Sequence, residues 1–132
     1  AADFDAPVEE ILVGSFLNIS ALTQYLITQA NGDVVILCSG WKNSVNIEDS
    51  YFAGVLVKKL TEVGNFFSQE AARLVEFYAQ AYRESAFETV MSLSPRLEGK
   101  SNRLEADFRY CLQNDLTDII PVFREGRITP FQ

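Results

Sequence analysis

The sequence predicts an α/β fold, a layered α/β/α domain with a mostly parallel sheet and a C-terminal edge strand or hairpin. Three observations predict it. Two short apolar runs, Ile11-Leu12-Val13 and Val34 to Cys38, end in small polar residues, as strands covered on both faces do. Each run is followed by apolar residues at helical spacing, and the order strand, helix, strand, helix implies right-handed βαβ units. The 132 residues, 48% hydrophobic and 22% charged, suit one compact domain over residues 1–132 and exclude a disordered tail protein.

The elements follow in order. Gly14-Ser15 bounds the first strand, and Asn18 is placed to cap a helix carrying Ile19, Leu22 and Leu26, with Asn31-Gly32 as its stop. Val34 to Cys38 is the second strand, ended by Ser39-Gly40 and followed by a polar loop, Trp41 to Val45. Asn46 caps a helix with Tyr51, Phe52, Val55, Leu56 and Leu60 on one side, ending near Gly64. Gly54 inside that helix is about 1 kcal/mol worse than Ala, which predicts close packing on the sheet. Ser68 opens a helix with Leu74, Phe77, Tyr78 and Ala81, and Ser85 with Glu88 is a capping-box pattern for a shorter one. Ser94 to Lys100 reads as a loop. A helix over Asn102–Gln113 groups Leu104, Phe108, Cys111 and Leu112, and Asp115 ends it. Ile119 to Phe123 is a strand that Pro121 assigns to a sheet edge. Arg124-Glu125-Gly126-Arg127 is a turn signal, giving a terminal hairpin with Ile128 to Phe131. There is no internal repeat, low-complexity tract or linker.

Charge and residue usage narrow the chemistry. Eighteen acids against eleven bases give a net charge of -7, a field opposed to phosphate-backbone binding, so no nucleic-acid partner is expected. Residues 1–41 contain no Lys or Arg, which makes Lys42 the first base. No apolar run approaches the roughly 18 residues of a membrane span and no basic-then-apolar leader opens the chain, so a soluble, cytoplasmic protein without a membrane partner is expected. With no histidine, Ser-His and Cys-His nucleophiles, phosphohistidine and His-based metal sites are excluded. Cys38 and Cys111 lack zinc-type spacing and are read as two buried thiols.

Ligands of open parallel sheets bind beyond the strand carboxyl ends, which selects the loops Gly14–Asn18 and Ser39–Asn46. Ser39, Gly40, Lys42, Asn43 and Ser44 offer hydroxyls, backbone N–H groups, an amide and a cation before a helix N-terminus, the ingredients of an anion site or simply of a polar loop. Ser15 and Asn18 are the candidates from the first loop. Glu48 and Asp49 follow in the first helical turn. A carboxylate at Asp49, three residues after Asn46, either completes a capping arrangement or joins Glu48 as a ligand of a hard cation such as Mg²⁺. Asp107, at the margin of an apolar stripe, either bonds a neighbouring backbone group, pairs with Arg103 or Arg109, or serves as a ligand or acid/base.

The stretch from Val34 to Gly40, followed by Asn46-Ile47-Glu48-Asp49-Ser50-Tyr51-Phe52-Ala53-Gly54, resembles the 2-phosphosulfolactate phosphatase family. The shared pattern is an apolar strand ending in Cys-x-Gly, a variable loop, Glu-Asp and an Ala-Gly pair. Gly14 to Ala21 is similar to the family's Gly-Ser-x-x-Asn-x-x-Ala turn, and Asp107, Cys111, Asp115, Pro121 and Gly126 follow its terminal order.

The resemblance implies a Mg²⁺-dependent phosphatase converting 2-phospho-3-sulfolactate, a small phosphorylated sulfonate, to 3-sulfolactate on the way to coenzyme M. Carried over, Ser39 and Gly40 hold oxyanions, with Lys42, Asn43, Ser15 and Asn18 counted as substrate-binding. Glu48 and Asp49 face the metal, and Asp49 and Asp107 are the catalytic acids. The family is nearly twice this length and the chain starts at Ala1 without methionine, so it is expected to be a carboxyl-terminal portion whose partner is the missing amino-terminal half or a further copy. Two other readings stand beside this one, a non-catalytic anion-binding or assembly domain and a plain packing domain. Direct attack by a metal-activated water is favoured over a phosphoenzyme, since histidine is absent and both cysteines lie in apolar surroundings.

Overall fold

Five helices and one small sheet form among the described residues of the computed structural model, which are 7–64, 66–94 and 102–131, without the side chains of Asn102 and Arg103. The chain is therefore α/β. A two-residue strand β1, Ile11–Leu12, leads through Gly14 into a 3-10 turn, Phe16–Asn18, and helix α1, Ile19–Gln29. Ile19 and Leu22 are buried on the inner side of α1, as their spacing predicts. The helix ends at an extended Ala30, before the expected Asn31-Gly32 stop.

Helix α2, Ile47–Val63, begins as expected: the side-chain oxygen of Asn46 accepts the backbone N–H of Glu48 at 2.9 Å. Gly64 ends it. Its long apolar side, Tyr51, Leu56 and Leu60, joins Phe16, Ile19, Leu22, Ala79 and Ile120 in the main core. Gly54 does mark a close approach, but to helix α3, Glu70–Ala81, rather than to a sheet. A Cβ at Gly54 would lie 2.1 Å from the carbonyl oxygen of Val75 and 2.7 Å from Cβ of Ala79. Only a hydrogen fits between the two backbones.

Helix α3 starts after Gln69, not at Ser68. Helix α4, Ala86–Leu93, follows a 3-10 turn at Arg83–Ser85. The capping box expected of Ser85 and Glu88 does not form, because the Ser85 hydroxyl lies 3.3 Å from that of Thr89 instead. Helix α5, Asn102–Cys111, packs on α4 in a second cluster, where Val90 and Phe108 are buried against Ile47, Phe87, Met91 and Leu104. The loop read after Ser94 lies outside the described residues.

The sheet corrects the prediction. Strands β2, Pro121–Arg124, and β3, Arg127–Pro130, form the expected terminal hairpin, and β1 pairs with β2, so the order is β1-β2-β3 with both pairings antiparallel. Ile11 faces Phe123, and Val122, fully buried, faces Leu12 and Thr129. The mostly parallel sheet is not what these residues build, because β1 takes its partner from the far end of the chain. Pro121 lies in the central strand, not at an edge. It is tolerated as that strand's first residue, opposite Pro130, and its carbonyl still accepts from Val13 N–H at 2.8 Å. The connecting turn has positive φ at Glu125 (50°) and Gly126 (76°), the requirement of a type I′ hairpin turn.

Val34–Cys38, expected as a parallel strand, joins no ladder among the described residues. Cys38 and Cys111 are both exposed free thiols, which corrects the expectation of buried ones. Among the described residues no sheet layer lies over Val34–Cys38, which leaves the first exposed; the second occupies the exposed last turn of α5. Among the described residues no helix is long and apolar enough to cross a membrane.

Candidate functional site

The polar segment from Ser39 to Asn46 closes on itself. Trp41 N–H donates to the Ser44 carbonyl at 2.9 Å and Ser44 N–H to the Trp41 carbonyl at 3.0 Å, so Lys42 and Asn43 form a two-residue turn. Both have positive φ, 49° and 60°, and Gly40 before them has φ 72° with no room for a Cβ, which would meet the Ser44 carbonyl oxygen at 2.7 Å. Asn tolerates this conformation; Lys holds it at a cost. The Lys42 ammonium lies 5.9 Å from the centre of the Trp41 ring.

Asp49 ties this turn to α2. Its Oδ2 accepts the backbone N–H of Gly40 at 3.0 Å and the hydroxyl of Ser39 at 3.2 Å. The carboxylate thus reaches back to the loop rather than completing a cap with Asn46. Its neighbour Glu48 accepts the hydroxyl of Ser94 at 3.1 Å through Oε1, and Ser94 is buried at the end of α4. Both acids stand in the first turn of α2, where the helix macrodipole favours negative charge. Ser39, Gly40, Lys42, Asn43, Glu48 and Asp49 are therefore gathered at one helix start. Ser94 is an addition that the sequence does not announce, being 46 positions from Glu48. The Cys38 thiol beside this loop has its pKa raised, first by desolvation and then by the negative charge of Asp49.

The first loop is built differently. Asn18 is only 3% exposed; its side-chain oxygen accepts Ser15 N–H at 2.9 Å and its amide donates to the carbonyls of Val13 (3.2 Å) and Ile119 (3.0 Å). It holds the loop to Ile119 in the segment between α5 and β2, and it does not cap α1. That role belongs to Asp115, whose carboxylate accepts the N–H and hydroxyl of Ser20 at 2.8 and 2.7 Å. Asp115 therefore does not end α5, which stops at Cys111.

Asp107 is exposed on α5. Arg109 does not pair with it: that guanidinium binds Glu105 at 2.9 Å and lies 3.7 Å over the Phe87 ring. Among the described residues no hydrogen bond or ion pair joins Asp107 to the α2 start, and the Arg103 side chain lies outside the described residues. Among the described residues no three His, Cys, Asp or Glu side chains cluster as a metal would need if held by protein groups alone.

A family profile described as 2-phosphosulpholactate phosphatase matches residues 2–126. The chain belongs to that family. Similar sequences include a probable 2-phosphosulfolactate phosphatase of Caldanaerobacter subterraneus subsp. tengcongensis, 30% identical over 132 residues, covering 96% of this chain and 52% of the relative. Those of Thermotoga petrophila and Thermus thermophilus are each 30% identical over 120 residues, covering 89% and 91% of this chain and 50% of each relative. The chain thus spans about half the length of these 2-phosphosulfolactate phosphatase relatives. The α2 start, Asp107 and the first loop all fall within the part that carries the family pattern.

Proposed function

We propose that this chain forms part of a magnesium-dependent phosphatase that hydrolyses a small anionic phosphate monoester, 2-phospho-3-sulfolactate, to 3-sulfolactate in the cytoplasm, as a step towards coenzyme M. The observation that supports this most is the family match over residues 2–126 together with the gathering of two acids, a lysine and a polar turn at the start of α2.

Glu48 and Asp49 are hard oxygen donors, the kind Mg²⁺ takes one or two of while keeping waters and substrate oxygens. Asp49 meets the loop through Oδ2, and an ionised carboxylate has about four acceptor positions, so capacity is left for a ligand. Magnesium there would supply positive charge to the phosphoryl oxygens. The chain's own groups do the rest. Lys42 attracts the anionic ester and Asn43 presents a hydrogen-bond donor to its oxygens; Ser39 and Gly40, whose hydroxyl and N–H donate to Asp49 here, would exchange that carboxylate for the ester oxygens, and Asp107 is the second acid, moving a proton at the leaving oxygen. Ser15 and Asn18 act on the site by fixing the first loop.

A non-catalytic anion-binding domain is the second reading. It is favoured by one contact: Asp49 accepts the Gly40 N–H, which accounts for that carboxylate as a tie between the loop and α2 and leaves Lys42 as the group that attracts an anion.

Phosphate release from 2-phospho-3-sulfolactate by the full-length protein that the gene encodes, with Mg²⁺ and with chelator, separates the two. Mg²⁺-dependent release supports the phosphatase, with Asp49→Asn expected to lower it at least about 100-fold. Asn keeps an acceptor for Gly40 N–H, so a purely structural Asp49 would leave turnover intact. Anion binding without turnover, lost in Lys42→Ala, would establish the second reading.

A further inference from the structure

The segment Val34–Cys38 has the side-chain pattern of a strand without the partners of one. Val34 and Ile36 pack against the main core, whereas Val35 is 58% and Leu37 90% exposed. Alternation of this kind is the period-two signature of β structure. Yet among the described residues no backbone hydrogen bond reaches any of these five residues. Five uncharged residues thus expose both a row of unpaired peptide groups and an apolar face. Water satisfies the former but not the latter. A run this apolar throughout belongs in a sheet covered on both faces.

We propose that Val34–Cys38 is an interior strand of a larger sheet, and that its missing neighbour strand and covering layer come from the half of the family's length that this chain does not match. The relatives carry about as much chain again as the portion aligned here, enough for several strands and helices. A second copy of this chain is a poorer occupant. Each copy carries a net charge of -7, and a two-fold strand pairing would cover one edge and leave the other open. The proposal does not depend on the phosphatase reading. It has a consequence for the site, since Ser39 and Gly40 follow directly on this strand, so pairing it would fix the loop that Asp49 holds.

Hydrogen exchange tests it on this chain and on an intact relative. In this chain the amides of Val34–Cys38 should exchange within seconds, independently of protein concentration. In the intact Thermotoga petrophila relative the aligned segment should exchange at least about 1,000-fold more slowly. A photo-crosslinking residue at the relative's position aligned with Leu37 should join to that protein's unmatched half. Slow exchange in this chain alone, fast exchange in the intact relative, or a crosslink between two copies would each overturn the proposal. In this chain Leu37→Asp should leave the helical circular dichroism unchanged, because the side chain touches little; loss of folding would show that the segment is already covered.

Discussion

Asp115 caps helix α1 from 95 residues away, through two hydrogen bonds to Ser20. The residue that stands at the N-cap position, Asn18, is engaged elsewhere, so the helix start depends on a carboxylate delivered by the segment after α5. The N–H of Ser20, then its hydroxyl, hold the Asp115 carboxyl below its ordinary pKa.

This bond makes stability pH-dependent with a defined sign. A lowered folded pKa means the contribution is complete above the unfolded carboxyl value of about 4 and is lost as pH falls through the lower folded value. Urea midpoints should fall on acidification below about pH 4, and Asp115→Asn, which keeps an acceptor but cannot titrate, should fall less steeply there.

The backbone at Asp115 gives a second, separable prediction. Its φ is +59°, so Asp115→Gly should lose only the cap, about 1 kcal/mol, whereas Asp115→Ala should lose about 1 kcal/mol more. Chemical denaturation of the pair measures the difference. Equal losses would mean that the left-handed conformation contributes nothing.

Asn18→Ala should destabilise by at least about 2 kcal/mol, because it leaves Ser15 N–H and two carbonyls without their partner in a buried place. Asn18→Asp should do no better, since a carboxylate cannot donate to the carbonyls of Val13 and Ile119. Thermal unfolding reads both.

Gly54→Ala should disrupt the α2–α3 contact, with a loss of about 1–3 kcal/mol or more, since the new methyl meets a backbone carbonyl that cannot swing away. Gly32→Ala is the control. Nothing lies within 4 Å of a Cβ there and its φ is not left-handed, so stability should hold or rise by up to about 1 kcal/mol.

Lys42→Gly should separate structure from function. The turn requires positive φ at this position, so glycine should raise stability by about 1 kcal/mol. If Lys42 attracts the substrate, phosphate or sulfate titration should at the same time show at least about 10-fold weaker binding. A gain in stability with unchanged anion affinity would remove Lys42 from the site.

What the sequence made legible was mostly local. The Asn46 cap, the Gly64 stop and the Glu125-Gly126 turn each involve residues a few positions apart, and each formed where read. Gly54 announced a close approach but not its partner, because a missing side chain tells of proximity and not of what comes near. Pro121 carries an edge signal in the sequence, although a strand's first residue tolerates proline in the centre of a sheet as well. The links from Asp115 to Ser20, from Ser94 to Glu48 and from β1 to β2 carry no short-range signal at all. At the candidate site the residue types were recognisable, while the direction in which Asp49 reaches, back to Gly40, was a property of the folded loop.

The tie between Ser20 and Asp115 also bears on the order in which the molecule can mature. On a ribosome adding about 5–20 residues per second, the start of α1 emerges several seconds before its cap is synthesised. β1 waits longer still, for Phe123 and Val122. Contacts of such sequence separation slow folding and leave early apolar segments open to chaperones in the meantime. A nascent chain arrested before Asp115 should accordingly show α1 poorly formed, and release from arrest should consolidate both ends of the molecule together.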